Sequence, residues 1–207
     1  RSSLAVLGFG TQGLDYDNDG TLDLVVANGH IEKAVDLKAP FMQPAQLFRN
    51  HGVRFEQMPV IDPSGYWQRD HLGRALAKLD FNSDGQQDFV VTHLGEPSAL
   101  LMNQTGSSNH WLQLEIVGVV SERDAVGSRV VARHGDREVT DWLNAGDGFL
   151  CRNQQLLCFG LGSATKVDEL AVHWPSGKRQ VFHDVPVDQR YLLVEGQAEL
   201  FPQVEVD

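Results

Sequence analysis

The segment Asp15-Tyr16-Asp17-Asn18-Asp19-Gly20-Thr21-Leu22-Asp23 constrains the fold more than any other stretch, because it crowds four carboxylates around one glycine. Like charges a few ångströms apart repel, so such a loop closes well only around a cation. Counting Asp15 as position 1, Asp17 and Asp19 stand at positions 3 and 5, and the Thr21 carbonyl stands at position 7. Gly20 allows the sharp turn, so the pattern is that of a short loop presenting oxygens to Ca2+. Helix–loop–helix calcium sites need a bidentate Glu at position 12, where this chain has Val26. The residues after Asp23 are Leu24-Val25-Val26-Ala27, a β-branched apolar run without helical period. The loop is therefore expected to join two strands, with Asp23 in place of the missing Glu. The plainer alternative is an Asx-turn hairpin that holds no ion.

A second copy stands at Asp80-Phe81-Asn82-Ser83-Asp84-Gly85-Gln86-Gln87-Asp88 and leads into Phe89-Val90-Val91-Thr92. Its expected ligands are Asp80, Asn82, Asp84, the residue at position 7, Gln86, and Asp88. The step from Asp15 to Asp80 is 65 residues, and the flanks match as well: Leu7-Gly8 with Leu72-Gly73, Leu14 with Leu79, and Leu47-Phe48-Arg49-Asn50 with Leu100-Leu101-Met102-Asn103. Repetition at that period points to propellers or solenoids. Asp15 to Asn50 spans 35 positions and Asp80 to Asn103 spans 23, so the first repeat carries 12 extra residues, between about 29 and 45. An insertion of that kind belongs on a rim or face of the repeat. Residues 1 to 28 read as a strand at Leu4 to Leu7, a turn at Gly8 and Gly10, a strand, the loop and a strand. Leu47 to Phe55 reads as two strands about the Gly52 turn, completing a four-stranded unit.

These residues give the chain a family likeness. It resembles the FG-GAP or VCBS type of β-propeller repeat; Phe9-Gly10 matches the first half of that name, while no Gly-Ala-Pro follows. The resemblance implies propeller blades with structural calcium, about seven in a complete ring. Two blades alone leave open strand edges, so the chain reads as a piece of a longer protein with further repeats beside it.

After the polar stretch Gln104-Thr105-Gly106-Ser107-Ser108-Asn109, which has the composition of a linker, the pattern changes. Alternating strands are expected at 111–116, 128–132, 137–140, 156–159, 169–174, 179–182 and 191–194, separated by Gly, Asp, Asn and Pro clusters. Many short strands with no helical periodicity imply an antiparallel β-sandwich or barrel. Arg123-Asp124-Ala125-Val126-Gly127-Ser128-Arg129-Val130, Phe159-Gly160-Leu161-Gly162, Val167-Asp168 and Trp174-Pro175-Ser176-Gly177 stand in the order seen in ASPIC/UnbV domains, which this half resembles. The fold class expected is all-β: the C-terminal blades of a propeller in residues 1–108, a sandwich in 109–196, and a tail in 197–207.

Charge and chemistry narrow the function. The net charge of −11 argues against nucleic acid and anionic membranes as partners, and no apolar run is long enough for membrane insertion as a helix. Seven of the 28 acidic residues lie in the two loops, so two bound Ca2+ would bring the charge to −7. Sites of this kind fill where calcium is about millimolar, which points to an extracellular, periplasmic or cell-surface setting. Cys151 and Cys158 flank a polar stretch and are expected on facing hairpin strands, their Cα atoms within about 7 Å, bridged or as free thiols. The eight histidines show no metal-ligand spacing, and no nucleophile or phosphate-binding motif is present. Tyr66, Trp67 and Trp142 are candidates for stacking on sugar rings, with packing as the alternative. The leading reading is a calcium-binding recognition or adhesion module with a protein or glycan partner, calcium being structural and no catalytic residue assigned. The alternatives are the non-catalytic part of a secreted enzyme, indicated by a pocket joining perturbed acids to the insertion, and a lectin-like carbohydrate binder.

Overall fold

The computed structural model describes residues 5–33 and 40–203, which hold no α-helix. In the first half the strands are β1 (Gly8–Leu14), β2 (Asp23–Asn28), β3 (Gln43–Pro44), β4 (Gln46–Asn50), β5 (Phe55–Met58), β6 (Asp70–His71), β7 (Gly73–Leu79), β8 (Asp88–His93) and β9 (Ala99–Leu101). They form two antiparallel, blade-like sheets, β1-β2-β4-β5 and β7-β8-β9, and a short clip of β3 with β6. Each acidic loop closes the first hairpin of its sheet, between the pairs Leu14↔Asp23 and Leu79↔Asp88. Alternation decides the packing, since a strand sends successive side chains to opposite faces. Val25 and Ala27 of β2 meet Leu76 of β7 and Phe89 and Val91 of β8 in a small core between the sheets, with Leu14 beside them.

The second half contains β10 (His110–Val117), β11 (Arg129–His134), β12 (Arg137–Trp142), β13 (Leu157–Gly162), β14 (Lys166–His173), β15 (Arg179–Pro186), β16 (Gln189–Val194) and β17 (Phe201–Pro202). Two four-stranded sheets, β13-β10-β16-β17 and β12-β11-β14-β15, face each other over one apolar core. Leu112, Leu114, Leu170 and Leu193 within it have no exposed surface. Burying each such side chain is worth about 1.5–3 kcal/mol relative to exposure.

The structure departs from the expectations at four places. Leu4 lies outside the described residues, but Ala5 to Leu7 are not a strand: the Leu7 N–H donates to Gln43 Oε1 at 2.7 Å and its carbonyl accepts from Gly29, which takes both groups out of any ladder. Gly8 and Gly10 lie within β1 rather than in a turn. A Cβ on Gly10 would stand 2.6 Å from Leu76 Cβ, so this glycine lets the two inner strands touch. The sandwich is not wholly antiparallel, because β10 and β16 run parallel from Leu112↔Gln189 to Val117↔Val194. Parallel neighbours need a crossover, and here the chain passes through the opposite sheet between them.

The fourth departure concerns the cysteines. They are free and do not share a hairpin. Cys158 lies in β13 opposite Gln113 of β10, while the Cys151 thiol donates to the Leu76 carbonyl of the first half. The polar residues between them are a strap across the junction. Asn153 Oδ1 accepts from the Lys78 N–H at 2.7 Å, the Gln154 N–H donates to the Lys78 carbonyl at 2.9 Å, and Gln154 Oε1 accepts from the Asp80 N–H. These side chains serve β7, so they are unavailable to form a turn.

Of the insertion, residues 34–39 lie outside the described residues; Gln43 is fully buried and donates to the Pro40 carbonyl. Tyr66 is buried and stacks on His71 with ring centroids 4.3 Å apart, and Trp67 packs edge-on against Phe89, so these two aromatics serve packing. Trp142 remains half exposed.

Candidate metal centre

The two acidic loops share their positive-φ positions. Asn18 and Ser83 at loop position 4 have φ of 56° and 57°, and Gly20 and Gly85 at position 6 have φ of 85° and 83°. Left-handed geometry at position 6 is where a glycine is needed. The hydrogen bonds repeat as well. The glycine N–H donates to the first carboxylate, Gly20 to Asp15 Oδ2 at 2.8 Å and Gly85 to Asp80 Oδ2 at 3.0 Å. The next N–H donates to the third, Thr21 to Asp19 Oδ1 and Gln86 to Asp84 Oδ1, both at 2.8 Å. The last carboxylate accepts from the following sheet strand or just beyond it, Asp23 Oδ1 from the Asn50 N–H and Asp88 Oδ1 from the Asn103 N–H.

Loop one draws Asp15, Asp17 and Asp19 together, one carboxylate oxygen of each lying within 4.8 Å of the others. Asp23 is outside that group but buried beside it. Burial, reinforced by the charges of Asp19 and Asp17, pushes Asp15 up to about 7 despite its bonds from Gly20 and Asp19. Burial likewise pushes Asp23 up to about 6, opposed by the Asn50 N–H, and raises Asp17, to which Asp19 adds. Burial is the leading cause of each shift, and at Asp17 the nearby Arg49 opposes it. Loop two is not drawn into one cluster. Asn82 turns its amide nitrogen to Asp84 Oδ2 at 2.8 Å, and both Asp88 oxygens are held by backbone N–H groups, of Phe81 and Asn103.

Four acceptor oxygens in these loops are buried without any partner: Asp17 Oδ1 and Asp23 Oδ2 in the first, Asp80 Oδ1 and Gln86 Oε1 in the second. Buried polar atoms are normally satisfied, so pairs of orphaned acceptors with no orphaned donor beside them are what a cation site requires. The residues present therefore fit a hard, oxygen-seeking ion. Asp15, Asp17, Asp19, Asp23 and the Thr21 carbonyl would hold it in loop one, and Asp80, Asn82, Asp84, Asp88 and the Gln86 carbonyl in loop two.

Several groups at the site had no role in the sequence reading. Arg49 bonds Asp17 at 3.0 Å and lies 3.5 Å from Asp19, a fixed cation at the rim of loop one. Met102 holds the matching place in the second repeat, and there the cation comes from the sandwich: Arg190 reaches Asp80 Oδ2 at 3.2 Å, and Gln113 donates to the same oxygen at 2.8 Å. The matched Asn50 and Asn103 were the available signal for the loop-closing N–H groups; nothing local marks Arg190. The fold also joins His71 and His93, ring centroids 5.0 Å apart, but every ring nitrogen of the pair is engaged by Glu96, the Tyr66 carbonyl, the Pro97 carbonyl or the Tyr66 hydroxyl. That pair is packing, with no nitrogen left for a metal. An apolar inter-blade groove of about 500 Å3, lined by Leu14, Tyr16, Leu47, Trp67 and Phe89 among others, contains none of residues 29–45.

Both loops sit at the junction of the two halves. A Cβ on Gly160 of β13 would stand 1.9 Å from Asp15 Oδ2, and one on Gly85 would strike the Trp111 ring of β10. The Gly162 N–H donates to the Asn18 carbonyl, Arg137 to the Asp19 carbonyl, and Ser107 Oγ and Asn109 Nδ2 both donate to the Asp17 carbonyl. The stretch with linker composition is thus tied to loop one.

Comparison with known protein families gives two matches. Residues 15–91 match the family model of FG-GAP-like repeats, and residues 118–200 match that of ASPIC and UnbV. The two matches follow one another along the chain, each over less than half of it. The chain is similar to cartilage acidic protein 1 of Xenopus tropicalis, 27% identical over 79% of this chain and 25% of the relative, and of Mus musculus, 25% identical over 92% of this chain and 28% of the relative. The chain thus spans about a quarter of the length of the curated relatives it matches. Among the described residues no helix is long and apolar enough to cross a membrane.

Proposed function

We propose that this chain is a calcium-stabilised, extracytoplasmic recognition or adhesion module in which two Ca2+ ions are structural and join propeller blades, in residues 1–108, to a sandwich beginning near 109. The observation that carries this reading is the set of three orphaned carboxylate oxygens, Asp17 Oδ1, Asp23 Oδ2 and Asp80 Oδ1, in two loops that share positive φ at positions 4 and 6. The similarity to cartilage acidic protein 1 supports an extracellular setting, where about millimolar calcium fills sites of modest affinity. No reacting group is needed for this role. The loops hold two hairpins and two domain faces in register, leaving the outer surfaces free for a protein or glycan partner.

The test is a calcium titration followed by thermal unfolding. Calcium that binds only the folded form adds about 2.7 kcal/mol per site at a hundredfold excess over Kd, so EDTA is expected to lower the melting temperature. Loop one has four carboxylates offset by Arg49, and loop two has three offset by Arg190, so loop one is the stronger site. Asp17→Asn is expected to remove more of the calcium-dependent shift than Asn82→Ala. A wild-type protein with no shift on adding calcium would leave two ion-free hairpins.

A further inference from the structure

In a chain of net charge −11, one sheet face runs against the balance. On the outer face of β12-β11-β14-β15 the register places Trp142 opposite Arg129, Arg129 opposite His173, and His173 opposite Arg179, with Trp142 and Arg179 exposed and Arg129 and His173 partly exposed. With strands about 4.8 Å apart, these four side chains form a row about 14 Å long, the span of two to three sugar residues. No carboxylate stands in the row. The acids of this face, Glu138 and Glu169, lie four residues away along their strands and are occupied by Arg133, with Arg179 3.4 Å from Glu169. Arg129 and His173 make no side-chain hydrogen bond or ion pair among the described residues. The Trp142 indole at the end of the row is half exposed. His173 is held below its ordinary range, first by burial and then by Arg129, Arg179 and Arg133, so every charge acting on it is positive.

We propose that this row binds an acidic polysaccharide, its guanidinium groups taking carboxylate or sulfate substituents and the Trp142 indole taking the apolar face of a sugar ring. A guanidinium presents a planar fork of donors that matches such anions. An exposed indole at one end of a line of cations adds a flat apolar surface, which a purely anionic peptide does not use. The surrounding negative charge disfavours polyanions that need a broad basic surface, such as nucleic acid. The inference deepens the recognition reading above by giving the surface and the chemistry of its partner.

Isothermal titration of the calcium-loaded chain with a heparin-derived hexasaccharide tests it, with polyglutamate as the non-saccharide anion and thermal unfolding with and without calcium run on the same samples. Saturable binding is expected, weakened about tenfold by Arg129→Ala and by Trp142→Ala, the loss of one charge-assisted or stacking contact. Arg54→Ala, at an arginine 72% exposed in the other half, leaves it unchanged. Absence of binding, wild-type affinity in both row variants, or polyglutamate binding as tight as that of the hexasaccharide would overturn the proposal. A calcium shift without oligosaccharide binding removes this inference alone, whereas loss of the calcium shift removes the calcium reading and leaves the row to be judged on the titration.

Discussion

Glu195 shows how much one carboxylate does in this fold. Its Oε2 accepts from three consecutive N–H groups, of Val119, Val120 and Ser121, at 2.9, 2.7 and 2.7 Å, and its Oε1 accepts from Ser176 Oγ at 2.6 Å. The Trp174-Pro175-Ser176-Gly177 segment is the strand end and turn its sequence suggests, and it is also one arm of this latch. Although burial opposes it, the Ser176 hydroxyl and the three N–H groups bring Glu195 down to about 2. A depressed carboxylate contributes stability that is full above its unfolded value, about 4.3, and is lost as pH falls through about 2. Glu195→Gln keeps an acceptor oxygen and loses the charge. The variant is therefore expected to melt below wild type at pH 7, and the gap between them to close as pH falls from about 4 towards 2. Paired thermal scans across that range check it; a gap that stays constant would mean the charge is irrelevant to the latch.

Among the elements, the Phe159-Gly160-Leu161-Gly162 strand has the most exacting position. Gly160 faces loop one so closely that a methyl group would meet Asp15 Oδ2 at 1.9 Å and the Asn18 backbone at 2.8 Å. Backbone cannot swing aside as a side-chain tip can. Gly160→Ala is expected to cost about 1–3 kcal/mol in a denaturant titration and to shrink the calcium-dependent part of stability, because Asp15 must move. Gly106→Ala, with nothing within 4 Å, is expected to be neutral. The same comparison explains what was legible in the sequence. The loops, their strands and the sandwich strands could be read because alternation and carboxylate spacing are local signals. The cysteine strap could not, since the residues its polar side chains bond lie about 75 positions away, at Leu76 and Lys78. Nor could the parallel β10–β16 pair, which depends on a crossover through the other sheet. Arg49 and Arg190 were missed for a related reason: a lone arginine on a strand does not announce its partner.

For the whole molecule, the calcium proposal can be tested at the junction of the two halves, at Asp80. Its side chain is fully buried, Oδ2 receives Arg190, Gln113 and the Gly85 N–H, and Oδ1 is left without a partner on the loop side. If loop two holds the proposed ion, this one carboxylate stands between two cations, the guanidinium from β16 and the ion at Oδ1. Removing one partner of a buried pair leaves an uncompensated charge, at a cost of about 3–5 kcal/mol. That cost depends on what else neutralises Asp80. With calcium present the ion supplies positive charge, so Arg190→Ala is expected to destabilise modestly; in EDTA nothing replaces the guanidinium and the loss is expected to approach the full figure. A difference in melting temperature between wild type and variant that widens on chelation would report this sharing directly. If the difference were the same with and without calcium, Arg190 and the ion would be acting on Asp80 independently, and loop two would not be the point at which calcium fastens the sandwich to the blades.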